Sequence, residues 1–420
     1  MAEGNRIGPR SAIVAGAGVV GLSTAWFLQE RGVQVTVIDR VGVAAGASRG
    51  NAGYIAPALT IPLNEPHILR YGAQALLKPT AGVRIPLTAD PALWRFLLRF
   101  ALNCRRSSWA RAVRANLALS EKCFQAYDFL VSNGVDAPVT EAPVIALFTT
   151  SHDAERHREH LQRFADAGQP VSVTELFGAT LREQVPLASD AVTAGIRVNG
   201  QRFVDAARFV PALGRSVVER GATLQTAEVT EVVTTADGVR VGLRSGAALS
   251  ADVAVIATGA WLPRLVSRWV RVPVQAGRGY SFAVPVDRPV NDPIHLPDAR
   301  VACLPLNGML RVTGTMELGD PDAPASAAQA DAIAASARPL LDGVRWEQRS
   351  EVWVGPRPLS PDGRPLVGRV AGSGIGPGIY VAGGHGMWGM THGPATGWLL
   401  ADYITTGKQP AALREFDPTR

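Results

Sequence analysis

Three groups of residues in this chain are of types and spacings that could do chemistry. Gly16, Gly18 and Gly21, with Val19 and Val20 between the last two, form a G-x-G-x-x-G turn. That spacing suits a pyrophosphate: Gly16 permits the tight turn, Gly18 lets backbone N–H groups approach the phosphates, and Gly21 lets the following helix pack closely. Arg357 stands between Pro356 and Pro358. A guanidinium fork makes two parallel hydrogen bonds to a carboxylate, and flanking prolines stiffen the backbone that aims it. The alternative for Arg357 is a surface arginine in a proline-rich turn. The third group is GGHGMWGMTHGPATG from Gly383 to Gly397. There a glycine-rich turn feeds a helix N-terminus and offers backbone donors and a positive dipole end to developing negative charge.

Other candidates are weaker. His152, His157 and His160 lie among Arg, Glu and Asp on one helical stretch, which reads as a solvated face rather than a metal site. Cys104, Cys123 and Cys303 are scattered without C-x-x-C spacing, so neither a disulfide framework nor a zinc site is indicated, and a reducing compartment fits.

The elements around the first turn agree with its chemistry. SAIVA, from Ser11 to Ala15, is a strand-length apolar run, LSTAWFLQERG after the turn is helical, and Val33 to Ile38 gives a second strand that closes on Asp39, eighteen residues past Gly21. An acid there accepts both hydroxyls of an adenosine ribose and repels a 2′-phosphate. This unit indicates a dinucleotide without deciding which. The next stretch, VGVAAGASRGNAGYIAP, is a long glycine- and alanine-rich loop rather than another βα unit, and such a loop can run beneath a flat ring.

Helical patterning covers roughly Pro91 to Asn133, His152 to Ala167 and Phe203 to Arg220. Strands are expected around an Asp237-Gly238 hairpin turn. ADVAVI, from Ala251 to Ile256, then runs into Ala257-Thr258-Gly259-Ala260-Trp261. The distance of that second turn from the first means that inserted sequence interrupts the nucleotide domain. Pro273 to Gly319 reads as short strands of an antiparallel sheet, Ala325 to Leu341 as a connecting helix, Gly378 to Gly383 as a last strand and Gly393 to Thr406 as a last helix.

With 420 residues, two intimately joined domains are expected. A hydrophobic fraction of 47% with 19% charged residues is that of an ordinary globular protein. The net charge of +6 is dispersed rather than gathered into lysine-rich runs, so no nucleic-acid partner is expected. The first ten residues lack the pattern of a secretory signal and no uncharged apolar run approaches membrane-spanning length. A cytoplasmic protein is expected, with peripheral membrane contact left open.

With these pieces placed, the chain resembles the FAD-dependent D-amino acid oxidase superfamily, which includes glycine and sarcosine oxidases, and is most similar to its bacterial D-amino acid dehydrogenase branch. The carriers are IVAGAGVVGLSTAWFLQERGVQVTVID, ASRGNAG at 47–53, VIATGAW at 255–261, WVGPRPLSPDGRPLVG at 353–368 and YVAGGHGMWGMTHGPATGWLLADYI at 380–404. The resemblance spans nearly the whole chain. It implies an α/β fold: a discontinuous Rossmann-like FAD-binding domain (11–90, 190–265, 350–420) with an α+β substrate domain built on an antiparallel sheet (91–189, 266–349). It further implies oxidation of a D-amino acid by hydride transfer from the α-carbon to flavin N5, with oxygen or a quinone or other carrier as electron acceptor. The alternative is a secondary amine such as proline, hydroxyproline, sarcosine or an opine-like compound.

By the same resemblance, Gly16, Gly18 and Gly21 hold the pyrophosphate, and Asp39 and Arg40 meet the adenosine end. Ala47, Ser48, Asn51, Ala52 and Gly53 line the path to the isoalloxazine. Val229 presents backbone to adenine, Thr258, Gly259 and Trp261 close over the nucleotide, and Gly384, Gly386, Met387, Gly389, Met390 and Thr391 approach the pyrimidine edge of the flavin. Arg357, Tyr280 and His385 are the catalytic candidates. No cysteine sits where some relatives attach flavin covalently, so noncovalent FAD is implied, with no metal. Arg49 and Met390-Thr391 depart from the dehydrogenase pattern near the expected flavin and substrate positions, as does Trp388, where that pattern has Leu.

Overall fold

The glycine turn connects two strands as its flanking apolar runs predict. In the computed structural model, which describes residues 8–68, 83–86, 88–372 and 377–420, Ser11–Ala15 and Gln34–Asp39 are parallel neighbours joined by the helix Val19–Glu30. Their apolar residues are continuous because layers cover both faces of the sheet. The full sheet has six strands in the order Thr223–Thr226, Gln34–Asp39, Ser11–Ala15, Val253–Ile256, Gly378–Gly383 and Leu366–Gly372. The first five run parallel and the last is antiparallel. Strands from distant stretches therefore build one layer, as the interrupted pattern implied.

On one face, the Val19–Glu30 helix crosses the closing helix, Gly389–Thr406. A Cβ on Gly397 would stand 2.6 Å from the backbone of Ser23 and Thr24, so this approach depends on glycine. The contact aligns the N-terminal ends of both helices toward the same end of the sheet. On the other face, Ile13, Ile38, Ile256 and Val381 meet a three-stranded sheet of Val229–Thr234, Val239–Leu243 and Ala248–Ala251. Its first turn lies at Asp237-Gly238, as read, with the Thr235 N–H donating to the Gly238 carbonyl.

The second layer is a nine-stranded, mostly antiparallel sheet with Gln275–Pro285, Met309–Gly319 and Ser350–Leu359 at its centre and edge. Helix Ala327–Ala337 covers one face through Ile333 against Tyr280 and Phe282. Ser151–Asp166 and the 54–61 segment lie on the other. Sheet membership departs from the expected domain bounds in two places. Ala194–Val198 and Ser350–Leu359 belong to this sheet, and the chain returns to the parallel sheet only at Leu366. Ser350–Leu359 pairs along nearly its whole length with Gln275–Pro285, a continuity that a boundary drawn from motifs alone does not see.

The long helical stretch is two helices, Pro91–Asn103 and Arg106–Ser132. Asp90 caps the first, its carboxylate accepting from the Ala92 N–H, with Pro91 at the first turn. The histidine helix is not a uniformly solvated face. His157 packs between Phe148 and His295 and lies on the same side as Ala154, Leu161 and Phe164, a spacing of three and four residues that was present in the sequence. His160 bonds Glu65, and only His152 is left exposed.

Candidate active site

The glycine turn, the 45–51 loop, the turn after Val253–Ile256 and the start of the closing helix converge on one cleft of about 1300 Å³, including its open mouth. Its lining joins the Gly16–Gly18 turn and Asp39 at one end to Arg357 and His385 at the other, which suits an extended dinucleotide. Gly16, Gly18, Val19, Val20, Asp39, Arg40, Ala47, Ser48, Asn51, Val229, Thr258, Gly259, Trp261, Gly386, Gly389 and Met390 all line it, together with Arg357 and His385. Six expected cofactor residues stand behind the wall instead. Gly21 supports the turn, since its Cβ would meet the Gly16 carbonyl oxygen at 2.0 Å. Gly53 packs on the Val204 carbonyl, Ala52 joins the neighbouring apolar cluster, Gly384 backs onto Leu366, and Met387 sits in the cluster around Phe96. The Thr391 hydroxyl donates to the Tyr54 carbonyl and accepts from the Ala56 N–H, so it ties the closing helix to the strand Tyr54–Ile55 and the residue after it.

The nucleotide end fits its expected occupant. Gly16 has φ +114°, and a Cβ there would lie 2.3 Å from the Ala257 carbonyl oxygen, so only glycine makes this turn. Asp39 accepts from the Ala17 N–H at 2.9 Å with one oxygen and from the Val41 and Gly42 N–H groups, each at 2.9 Å, with the other. It staples the two turns together and keeps lone pairs for ribose hydroxyls. Ser48 Oγ accepts from the Val19 N–H at 3.1 Å, which anchors the 45–51 loop to the head of the first helix. The buried Thr258 hydroxyl has no partner among the described residues, and a buried polar group of this kind is normally satisfied by something bound.

At the other end, the Ser350–Leu359 strand carries Arg357 into the cleft. Protein surrounds the guanidinium, yet some of its surface stays open to the cleft. Burial lowers its pKa to about 10, which leaves it cationic near neutral pH. Its Nη1 donates to the Thr315 carbonyl at 3.1 Å, and no carboxylate pairs with it among the described residues. An enclosed cation without a counter-ion is a site for an anion. Gly279, on the neighbouring strand, makes the space: a Cβ there would lie 2.1–2.4 Å from the guanidinium atoms. Thr315 is in the left-handed region at φ 56°, on the strand opposite the register shift between Arg278 and Tyr280. Neither was singled out from the sequence, although glycine inside the strand run G-R-G-Y is the kind of signal that marks a close approach.

Tyr280 is not a cleft residue. Side chains alternate along a strand, so where Gly279 meets Arg357, Tyr280 projects into the opposite cluster beneath Ile333. Its hydroxyl donates to Glu317 at 3.2 Å and accepts from the Ser326 N–H at 3.3 Å. That places it in a structural network with the Arg278–Glu317 ion pair.

His385 does line the cleft. Its Nε2 lies 2.9 Å from the Thr396 hydroxyl, while its Nδ1 is buried without a partner among the described residues. Burial lowers its pKa to about 4, so the ring is neutral near pH 7. Asp322 is an unexpected participant at the cleft mouth. It accepts from Arg40 at 2.7 Å, from Arg264 at 2.6 Å and from the Trp261 indole N–H at 3.0 Å, while the Arg40 guanidinium lies 4.3 Å from the Trp261 ring centre. Arg278 holds the Ala323 and Pro324 carbonyls at 2.7 and 2.6 Å, so the 320–326 segment straps the large sheet to the nucleotide end of the cleft. Among the described residues no group of acidic, His or Cys side chains could hold a metal.

Comparison with known proteins agrees with this architecture. A family model described as FAD dependent oxidoreductase (DAO) matches residues 11–403. The D-amino acid dehydrogenase of Agrobacterium fabrum is 28% identical over 406 residues, covering 94% of this chain and 96% of that protein. Glycine oxidase from Bacillus cereus superposes with a TM-score of 0.72 at 21% identity, covering 98% of this chain and 99% of that one. L-proline dehydrogenase from P. horikoshii does so at 0.68 and 17% identity, covering 98% and 97%. At such identities the structural likeness speaks for the fold.

Proposed function

The chain belongs to the DAO family of FAD-dependent oxidoreductases, and from that premise we propose that it oxidises a D-amino acid at its α-carbon. The product is an imino acid, which water hydrolyses to a keto acid and ammonia. The observation that carries the reading is Arg357, a cation without a counter-ion in the wall of the flavin cleft. Similarity to D-amino acid dehydrogenases over most of the chain supports the same substrate class.

FAD, when bound, supplies the hydride acceptor at its N5. The chain's own residues do the rest. Arg357 grips the substrate carboxylate with both arms of its fork, which fixes the direction of the Cα–H bond. The same positive charge disfavours the substrate ammonium and so promotes release of its extra proton. Two carboxylates in the cleft wall are already engaged, Asp39 by backbone N–H groups and Glu228 by Arg244, so neither is free to take that proton. Water is the acceptor in this reading. The head of the closing helix at Gly389, in the cleft wall with His385, would offer positive potential to the negative charge that a bound flavin acquires on reduction, while the Gly386 N–H is taken by the Pro358 carbonyl.

Anaerobic mixing of the yellow enzyme with D- and L-amino acids and with cyclic secondary amines tests the proposal. Bleaching of flavin absorbance by D-amino acids is expected. Bleaching by proline-like amines alone would transfer the assignment to secondary amines, and bleaching by neither would end it.

A further inference from the structure

The helix Pro91–Asn103 has one face engaged and one unengaged. Leu93 and Phe96 are buried against Met316, Leu318 and Leu359, whereas Trp94, Leu98 and Leu102 are 44%, 63% and 51% exposed. Four-residue spacing places these three on one stripe along the helix. Arg95 and Arg99 follow one residue behind and edge the stripe, and Arg105, Arg106, Arg111 and Arg114 continue onto the next helix, all six exposed. None of the six has an ion-pair partner among the described residues. From residue 91 to residue 120 the sequence contains no Asp or Glu. Elsewhere the exposed arginines are commonly paired, as in Arg156–Asp153, Arg158–Glu155 and Arg244–Glu228. Here they are concentrated beside the chain's one exposed Trp-Leu-Leu stripe among the described residues.

We propose that this face docks the enzyme on an anionic lipid surface. An exposed apolar stripe with arginines along its edge matches the two components of interfacial binding, burial of Trp and Leu at the headgroup boundary and attraction of basic side chains to anionic lipid. Long arginine stems keep their heads at the polar level while their methylenes lie along the apolar surface. Among the described residues no helix is long and apolar enough to cross a membrane, so the contact lies in the interface plane. The buried side of the same helix rests on Leu359, two residues from Arg357, so the helix packs beside the strand that carries Arg357. The charge is what favours lipid over a second copy of this chain, whose identical face would bring six unpaired arginines against six more.

The test is co-sedimentation of the FAD-loaded enzyme with vesicles of phosphatidylcholine alone and of phosphatidylcholine with phosphatidylglycerol, at low and high salt. Binding is expected only with phosphatidylglycerol and is expected to weaken with salt. Arg95→Gln with Arg99→Gln should weaken it by about fivefold per arginine, and Leu98→Glu should abolish it. Both variants should keep wild-type melting temperature and flavin reduction by substrate in solution. Absence of vesicle binding by the wild type at low salt would overturn the proposal and leave an acidic protein partner as the occupant. Binding unaffected by these substitutions would overturn it too, as would a wild-type dimer that Leu98→Glu dissociates without any vesicle binding.

Discussion

Replacing Arg357 by methionine separates a substrate anchor from a structural arginine, because the two roles predict opposite changes in stability. A structural buried arginine is held by several acceptors, and its loss would leave them unpaired. Among the described residues Arg357 has one hydrogen bond, to the Thr315 carbonyl, and no counter-ion. Removing an enclosed, unpaired cation is neutral or stabilising, so the melting temperature of Arg357→Met should be unchanged or raised. Binding should behave differently. Two charge-assisted hydrogen bonds to a carboxylate contribute about 1.5–3 kcal/mol each, or about 3–6 kcal/mol together. That corresponds to a loss of roughly 10²–10⁴ in the ratio of the limiting reduction rate to the substrate dissociation constant. Anaerobic stopped-flow spectroscopy of flavin reduction measures both terms, and a melting curve of the flavin-loaded protein supplies the control. Arg357→Lys keeps the charge but not the fork and should recover only part of the loss. A variant within about tenfold of wild type, or one that melts well below it, would show that the guanidinium serves the fold.

Three further outcomes follow from the geometry. Gly279→Ala should melt normally, because the new Cβ meets the far end of a flexible side chain, yet displacement of Arg357 should lower the same ratio by about 10²-fold; unchanged kinetics would show that the guanidinium can move without consequence. Asp322→Ala should speed FAD release, measured by the recovery of free flavin fluorescence on dilution. Burial alone would raise the Asp322 carboxyl, but hydrogen bonds from Arg40, Arg264 and Trp261 bring it down to about 2, so the strap is intact above the ordinary carboxylate range and is lost only as pH falls toward 2. FAD release should therefore show no step from this group between pH 5 and 8, and a step there would refute the assignment. Burial depresses His157 and His392 to about 3 and His295 and His385 to about 4, with neighbouring histidines adding to the effect at His157 and His392. Their unfolded forms titrate near 6.5, so the unfolded chain takes up these protons first. The stability they contribute is complete above that pH and is lost progressively as the solution is acidified toward 3. His157→Phe, which keeps the ring packing against Phe148, should flatten the acid limb of the melting curve.

The parts of this molecule that were legible in its sequence are those where backbone geometry dictates residue type. A turn at φ +114° with a carbonyl 2.3 Å from any Cβ must be Gly16, and a strand covered on both faces must be apolar throughout. Such constraints are local, so they can be read from spacing alone. The strap at Asp322 was not legible, because its partners Arg40 and Arg264 lie 282 and 58 residues away and an exposed acid in a turn has many ordinary explanations.

Tyr280 and Gly279 show where the remaining difficulty lies. Both stand in the same four-residue run, and tyrosine is the residue that carries a functional group, yet the strand's two-residue alternation sends it away from the cleft. Which face of Gln275–Pro285 looks toward the cleft was set by the register of Ser350–Leu359, a strand some seventy residues later that motif reading had assigned to the other layer. Once that register places Arg357 beside Gly279, the missing side chain becomes the informative feature. A Cβ there would occupy the guanidinium's own position, so the glycine and the arginine are two halves of the proposed carboxylate site.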